Sequence, residues 1–103
     1  MSWKSTKSFQ LEGITPEQYI KISIKALKSL GWRYDIPPDE DYIIRARTKR
    51  SLFTWGDDIE IKIDKGTVNI LSECNEEQAL FNFGRNKKNI ERFLTEFEKQ
   101  KSK

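Results

Sequence analysis

The feature that most constrains this chain is a strict alternation near its middle. Ile59, Ile61 and Ile63 take turns with Glu60, Lys62 and Asp64, and Lys65-Gly66 follows. Beyond that turn, Val68, Ile70, Ser72 and Cys74 recur at every second position. A period of two places one set of side chains on each face of a strand, so these two runs predict a hairpin with one dry face and one wet face. A half-buried sheet needs something apolar laid over its dry side.

Two helical patterns supply that cover. Thr15-Pro16-Glu17-Gln18 is a helix start: Thr15 caps, Pro16 suits the first helical position and Gln18 completes a capping box. Tyr19, Ile20, Ile24, Leu27 and Leu30 then recur at helical spacing, Ser23 and Ala26 fill the same arc, and Gly31 ends the helix. Lys21, Lys25 and Lys28 take the opposite face, and Ile22 falls among them, where it reads as a partner contact. The last helix is predicted over residues 86–100, with Ile90, Phe93, Leu94 and Phe97 as its apolar stripe.

Further strands are predicted over residues 3–11, ended by Gly13, and over 32–36 and 42–49. Residues 37–41 form a Pro-rich turn, and residues 75–85 are irregular. In the strand over 42–49, Ile44, Ala46 and Thr48 share one face, and Ile43, Arg45, Arg47 and Lys49 share the other. The order is β-α-β-β-β-β-α. We therefore expect one α+β domain over residues 1–103: a two-layer sandwich with a mainly antiparallel sheet and two helices on one face. A long last helix across such a sheet resembles TBP-like or Bet v1-like architecture in shape, which by itself implies no function.

Composition narrows the functional classes. The chain has 103 residues, no histidine and one cysteine, which excludes Ser-His and Cys-His nucleophile pairs and histidine metal sites. One thiol makes no zinc site and no internal disulfide, and it fits a reducing, cytoplasmic setting. Cys74 reads as a small buried hydrophobe. No P-loop or dinucleotide glycine pattern is present, and no run is long and apolar enough to span a membrane. We expect neither enzyme activity nor a cofactor. Asp57, Asp58 and Glu60 are better read as partners for Arg45, Arg47 and Lys49 across a wet sheet face than as an acid-base pair.

Three places invite a binding reading. Gly84-Arg85-Asn86-Lys87-Lys88 opens the last helix, with Asn86 as its expected N-cap and Gly84 allowing an unusual backbone angle. Arg85, Lys87 and Lys88 put three cations at the positive end of a helix dipole, where acidic residues are favoured. Exposed backbone N–H groups beside cations suit an anion, such as a phosphate, a lipid headgroup or a nucleic-acid backbone. Trp55, in Ser51-Leu52-Phe53-Thr54-Trp55-Gly56, reads as a core cap or a contact surface. Arg47 belongs to a basic run, Arg45 to Arg50, near Phe53 and Trp55. A nucleic-acid role for that run is opposed by the acidic residues sharing its face. Phe81, Phe83, Phe93 and Phe97 add a further possibility, an apolar-ligand cavity under the last helix. The expected role is a non-catalytic binding or interaction module for a protein or an anionic ligand. The formal charge of +3 is mild and favours solubility.

Gly56-Asp57-Asp58-Ile59-Glu60-Ile61, then Ser72, then Gly84-x-Asn86-x-x-x-Ile90-x-x-Phe93-Leu94 resembles a bacterial family catalogued as a domain of unknown function. The resemblance covers roughly residues 40 to 95. It implies a common fold and a bacterial origin, and brings no activity with it. Glu73 and Cys74 stand where that family tends to carry arginine after its serines.

Overall fold

The chain is described by a computed structural model over residues 3–38, 42–48, 56–74 and 84–103, with Trp3 and Cys74 described by backbone alone. Strand β1 is Trp3–Gln10 and helix α1 is Pro16–Leu30. Strands β2 (Arg33–Asp35), β3 (Ile43–Arg47), β4 (Asp58–Asp64) and β5 (Thr67–Cys74) follow, and helix α2 is Arg85–Lys101. The strands form one five-stranded sheet in the order β1-β5-β4-β3-β2, every neighbour antiparallel. The α+β sandwich expected from the alternation is the fold observed. No helix among the described residues is long and apolar enough to cross a membrane.

Local chemistry accounts for the elements. The Thr15 hydroxyl accepts from the Gln18 N–H at 3.1 Å, and the Gln18 side chain accepts from the Thr15 N–H at 3.0 Å. That reciprocal box starts α1. Gly31 closes it in the left-handed region at φ 76°. The β4–β5 hairpin turns through Lys65 at φ 51° and Gly66 at φ 80°. Two successive positive φ angles match the right-handed twist of the flanking strands.

One face of the sheet is dry. Ile44, Ile59, Ile61, Val68 and Ile70 are at most 2% exposed and pack with Leu27, Ile90, Phe93 and Phe97 from the helices. Burying a side chain of this kind contributes about 1.5–3 kcal/mol. Tyr19 stacks on Phe97, ring centroids 4.3 Å apart. Ile22 packs against the same core, so its place among the lysines of α1 marks the edge of the buried arc and no partner contact is needed to explain it. Trp32 is 3% exposed, and the Arg92 guanidinium lies 5.7 Å from its ring centroid, tying α2 to the end of α1. The Ser29 hydroxyl donates to Glu96 across the same seam. That bond, with a second from Gln100, holds the Glu96 carboxyl below its ordinary pKa.

The other face is wet and charge-mixed. Register places Lys4, Glu73, Asp58, Arg47 and Arg33 in one row across all five strands. Arg47 meets Asp58 at 3.2 Å and Arg45 meets Glu60 at 3.8 Å, as the wet-face reading expects. These pairs are exposed and each contributes at most about 1 kcal/mol.

Gly56 is the glycine under the tightest constraint. Its φ is 97°, and a Cβ there would stand 2.7 Å from the Thr48 carbonyl oxygen. Gly31 shares a positive φ but has nothing within 4 Å of the same position. Gly56→Ala is therefore expected to cost more than about 2 kcal/mol in urea unfolding, and Gly31→Ala only about 1 kcal/mol. Equal losses would show that backbone angle alone, without the carbonyl clash, sets the cost.

Candidate functional site

The inward phase of three strands turns polar at one end of the sheet. On β3 the series Ile44, Ala46 is continued by Thr48, on β4 the series Ile63, Ile61, Ile59 by Asp57, and on β5 the series Val68, Ile70 by Ser72. Thr48, Asp57 and Ser72 are 9%, 2% and 0% exposed, so each is buried where an apolar side chain would otherwise stand. Thr48 and Asp57 hold each other: the Thr48 N–H donates to the Asp57 carbonyl at 2.9 Å, and the Asp57 N–H donates to the Thr48 hydroxyl at 2.7 Å.

The first turns of α2 lie over this polar end. Arg85 Nε donates to Asp57 Oδ2 at 2.8 Å and Arg85 Nη2 to Oδ1 at 2.6 Å, a two-pronged guanidinium–carboxylate pair. Asn89 Nδ2 donates to Asp57 Oδ2 at 2.7 Å and, more weakly, to Ser72 Oγ at 3.3 Å. The Ser72 hydroxyl in turn donates to Asn86 Oδ1 at 2.8 Å. Both Asp57 oxygens thus accept from α2, and the network joins three strands to one helix. Gly84 precedes it at φ 71°.

Two expectations change here. Asp57 does not pair across the wet face. It points to the dry side, because it keeps the phase of Ile59 and Ile61, and there it meets Arg85. Asn86 is not the N-cap. The helix begins one residue earlier, with Gly84 as N-cap and no side-chain capping bond, and the Asn86 side chain is instead drawn to Ser72. The conflict between three cations and the helix dipole is partly resolved by the same contact. The first turn of α2 contains no acidic residue of its own, and Asp57 brings a carboxylate to it from the sheet.

Of the residues read as a binding site, Gly84, Arg85, Asn86, Lys87 and Lys88 stay together, but with divided roles. The Arg85 and Asn86 side chains face the protein interior, while Lys87 and Lys88 are exposed. Arg47 stands apart from them, on the opposite face of the sheet from the helices. Trp55, Phe53, Lys49, Arg50, Phe81, Phe83 and the Cys74 side chain lie outside the described residues. Thr48 and Asn89 enter as members that sequence reasoning missed. Asn89 carried a signal nonetheless: with Asn86 it sits on the stripe of Ile90, Phe93 and Phe97, where a polar residue needs a buried partner.

A second feature lies away from the network, at the other end of the helical layer. A cleft of about 250 Å³ opens between the end of β1, the start of α1 and the second half of α2. Its lining is mixed: Phe9, Leu11, Ile14, Tyr19, Leu94 and Phe97 together with Gln10, Glu12, Glu98 and Lys101. The buried Tyr19 hydroxyl has no hydrogen-bond partner among the described residues. Burial, reinforced by the Glu98 carboxylate, pushes its pKa upward. Among the described residues no group of three His, Cys, Asp or Glu side chains is placed to hold a metal ion.

No known family profile matches the chain, and no curated protein matches it. Gly56, Asp57, Ser72, Gly84 and Asn86 lie together at this one end of the sheet.

If the Asp57–Arg85 pair holds α2 to the sheet, Asp57→Ala and Arg85→Ala should each lower stability by about 3 kcal/mol, since each leaves a buried charge or its donors unmatched. The double variant should lose less than the sum, with a coupling above about 1 kcal/mol in a urea cycle. Arg47→Ala is the internal reference, with a loss of at most about 0.5 kcal/mol. A coupling near zero would reduce the network to coincidental proximity.

Proposed function

We propose that the chain is a non-catalytic binding module that presents α2 on a rigid sheet platform. The observation that carries this reading is the engagement of Asp57 by α2. The one buried carboxylate among the described residues has both oxygens engaged by Arg85 and Asn89. A general base must reach its substrate, and this carboxylate is buried beneath a helix that places three donors on its two oxygens. Asp58 and Glu60 are exposed or half-buried beside arginines, as ordinary surface charges are. What α2 offers outward is a cationic start, Lys87 and Lys88, and the partner that suits it is anionic.

The test pairs two measurements on the intact chain. A screen of ester, phosphate and glycoside substrates is expected to show no turnover. An amide NMR titration with inorganic phosphate and inositol phosphates is expected to move signals near Lys87 and Lys88, and to do so less in Lys87→Ala and Lys88→Ala. Turnover lost on Asp58→Asn would overturn the reading.

A second reading, carriage of a small apolar ligand, is favoured by the cleft at Phe9, Tyr19, Leu94 and Phe97. A cavity of 150 Å³ lined by apolar side chains is roughly enough for a benzene-sized guest. The fluorescence of an anilinonaphthalene probe should rise on addition of the protein, and Leu94→Trp, which fills the cleft, should abolish the rise. An unchanged signal with the unsubstituted chain counts against it.

A further inference from the structure

Charge is divided unequally between the two layers. Helices α1 and α2 carry nine Lys and Arg against four Glu, whereas the whole chain has 19 against 16. The helical layer is therefore strongly cationic, and everything outside it is net acidic.

The helical cations are also ordered. On α1, Lys21 and Lys25 lie on one i, i+4 line with Ser29, and Ser29 touches Glu96 of α2. That line meets the seam between the helices at Ser29. On α2, Lys88 and Arg92 lie on one line with Glu96, and Lys99 stands within 3.8 Å of Glu96. A cleft of about 430 Å³ runs along the seam, lined by Leu30, Lys88, Arg92, Thr95 and Lys99, with Glu91 and Glu96 among them. Lys99 offsets Glu96, and Lys88 and Arg92 stand against Glu91, so the cleft keeps an excess of one positive charge. Successive positions on each line are about 6 Å apart along the helix, close to the rise of two nucleotides in one strand of a duplex at about 3.4 Å each.

We propose that this seam binds the phosphate backbone of a nucleic acid, and this rests on reading the chain as a binding module. One observation selects a nucleic acid over an anionic membrane. Amphipathic surface helices reach a bilayer with exposed apolar side chains. Among the described residues the only large apolar side chain that is exposed is Ile36, which belongs to neither helix. Backbone binding, by contrast, requires only positioned cations and is independent of base sequence. The acidic balance of the rest of the chain also favours one orientation, helices toward the polyanion.

Fluorescence anisotropy with labelled duplex DNA and labelled single-stranded RNA, over a series of salt concentrations, tests this on the full chain. Binding should weaken linearly on a log–log plot, by about 0.9 in slope per duplex phosphate contacted. Lys25→Ala and Lys88→Ala should each make that slope shallower by about one. Lys62→Ala, on the wet face of the sheet, should leave it unchanged. The difference between the DNA and RNA arms identifies which backbone is preferred. Absence of binding at low salt overturns the proposal, as does an equal effect of Lys62→Ala, which would mean net charge alone. Vesicles containing phosphatidylserine form the remaining arm. If they bind through Lys25 and Lys88 while nucleic acid does not, the nucleic-acid assignment falls and the binding-module reading stands. If nothing anionic binds and the substrate screen finds turnover, both fall.

Discussion

The Asp57–Arg85 pair is the constraint on which the arrangement of layers depends. A carboxylate that is 2% exposed is tolerable only when its charge and lone pairs are met inside the protein. Arg85 and Asn89 meet them, and because both lie on α2, the helix has one position that satisfies the sheet. Apolar packing between Phe93, Ile90 and the sheet tolerates small slides, since dispersion has little direction. A two-pronged charge pair does not. The apolar core supplies most of the favourable free energy, and the polar end sets where along the sheet the helix starts.

Gly56 belongs to the same constraint. For Asp57 to face inward, the chain must arrive at β4 hard against the Thr48 carbonyl, at a backbone angle that suits glycine. Thr48 then serves two purposes, ending β3 and fixing the Asp57 backbone. The network is thus as much a device for joining β3, β4 and β5 at one end as for holding α2. Its cost is the desolvation of an ion pair, which is reduced because the Arg85 side chain keeps 24% of its surface in contact with solvent.

Much of the fold is legible in the residues. Alternation at Ile59, Ile61 and Ile63 identifies β4 and its buried face, and the Thr15–Gln18 box locates the start of α1 to the residue. The candidate site was half legible. Phase alone places Asp57 and Ser72 on the dry side, yet an aspartate beside a second aspartate and three cations reads more naturally as a surface charge. Its partner is 28 residues away, and no local pattern links the two. The N-cap failed for a related reason: Asn is a good cap in isolation, but a tertiary hydrogen bond from Ser72 competes for its side-chain oxygen and wins. The acid of the opening helix turn comes from a strand, so a rule confined to one segment finds a violation where the folded chain has compensation.

The sheet order has a consequence for how the chain reaches this state. Strand β1 lies beside β5, so Trp3 pairs with Cys74 and Gln10 with Thr67. The first strand made is therefore without its partner until the last strand exists. Local pieces, the α1 helix and the β4–β5 hairpin, can form early, but closing the sheet requires contacts of long sequence separation, which slow folding. During that wait an eight-residue strand that can pair along either side is a hazard for association with other chains. Lys4 and Lys7, both exposed on β1, are the charges that make such pairing unfavourable.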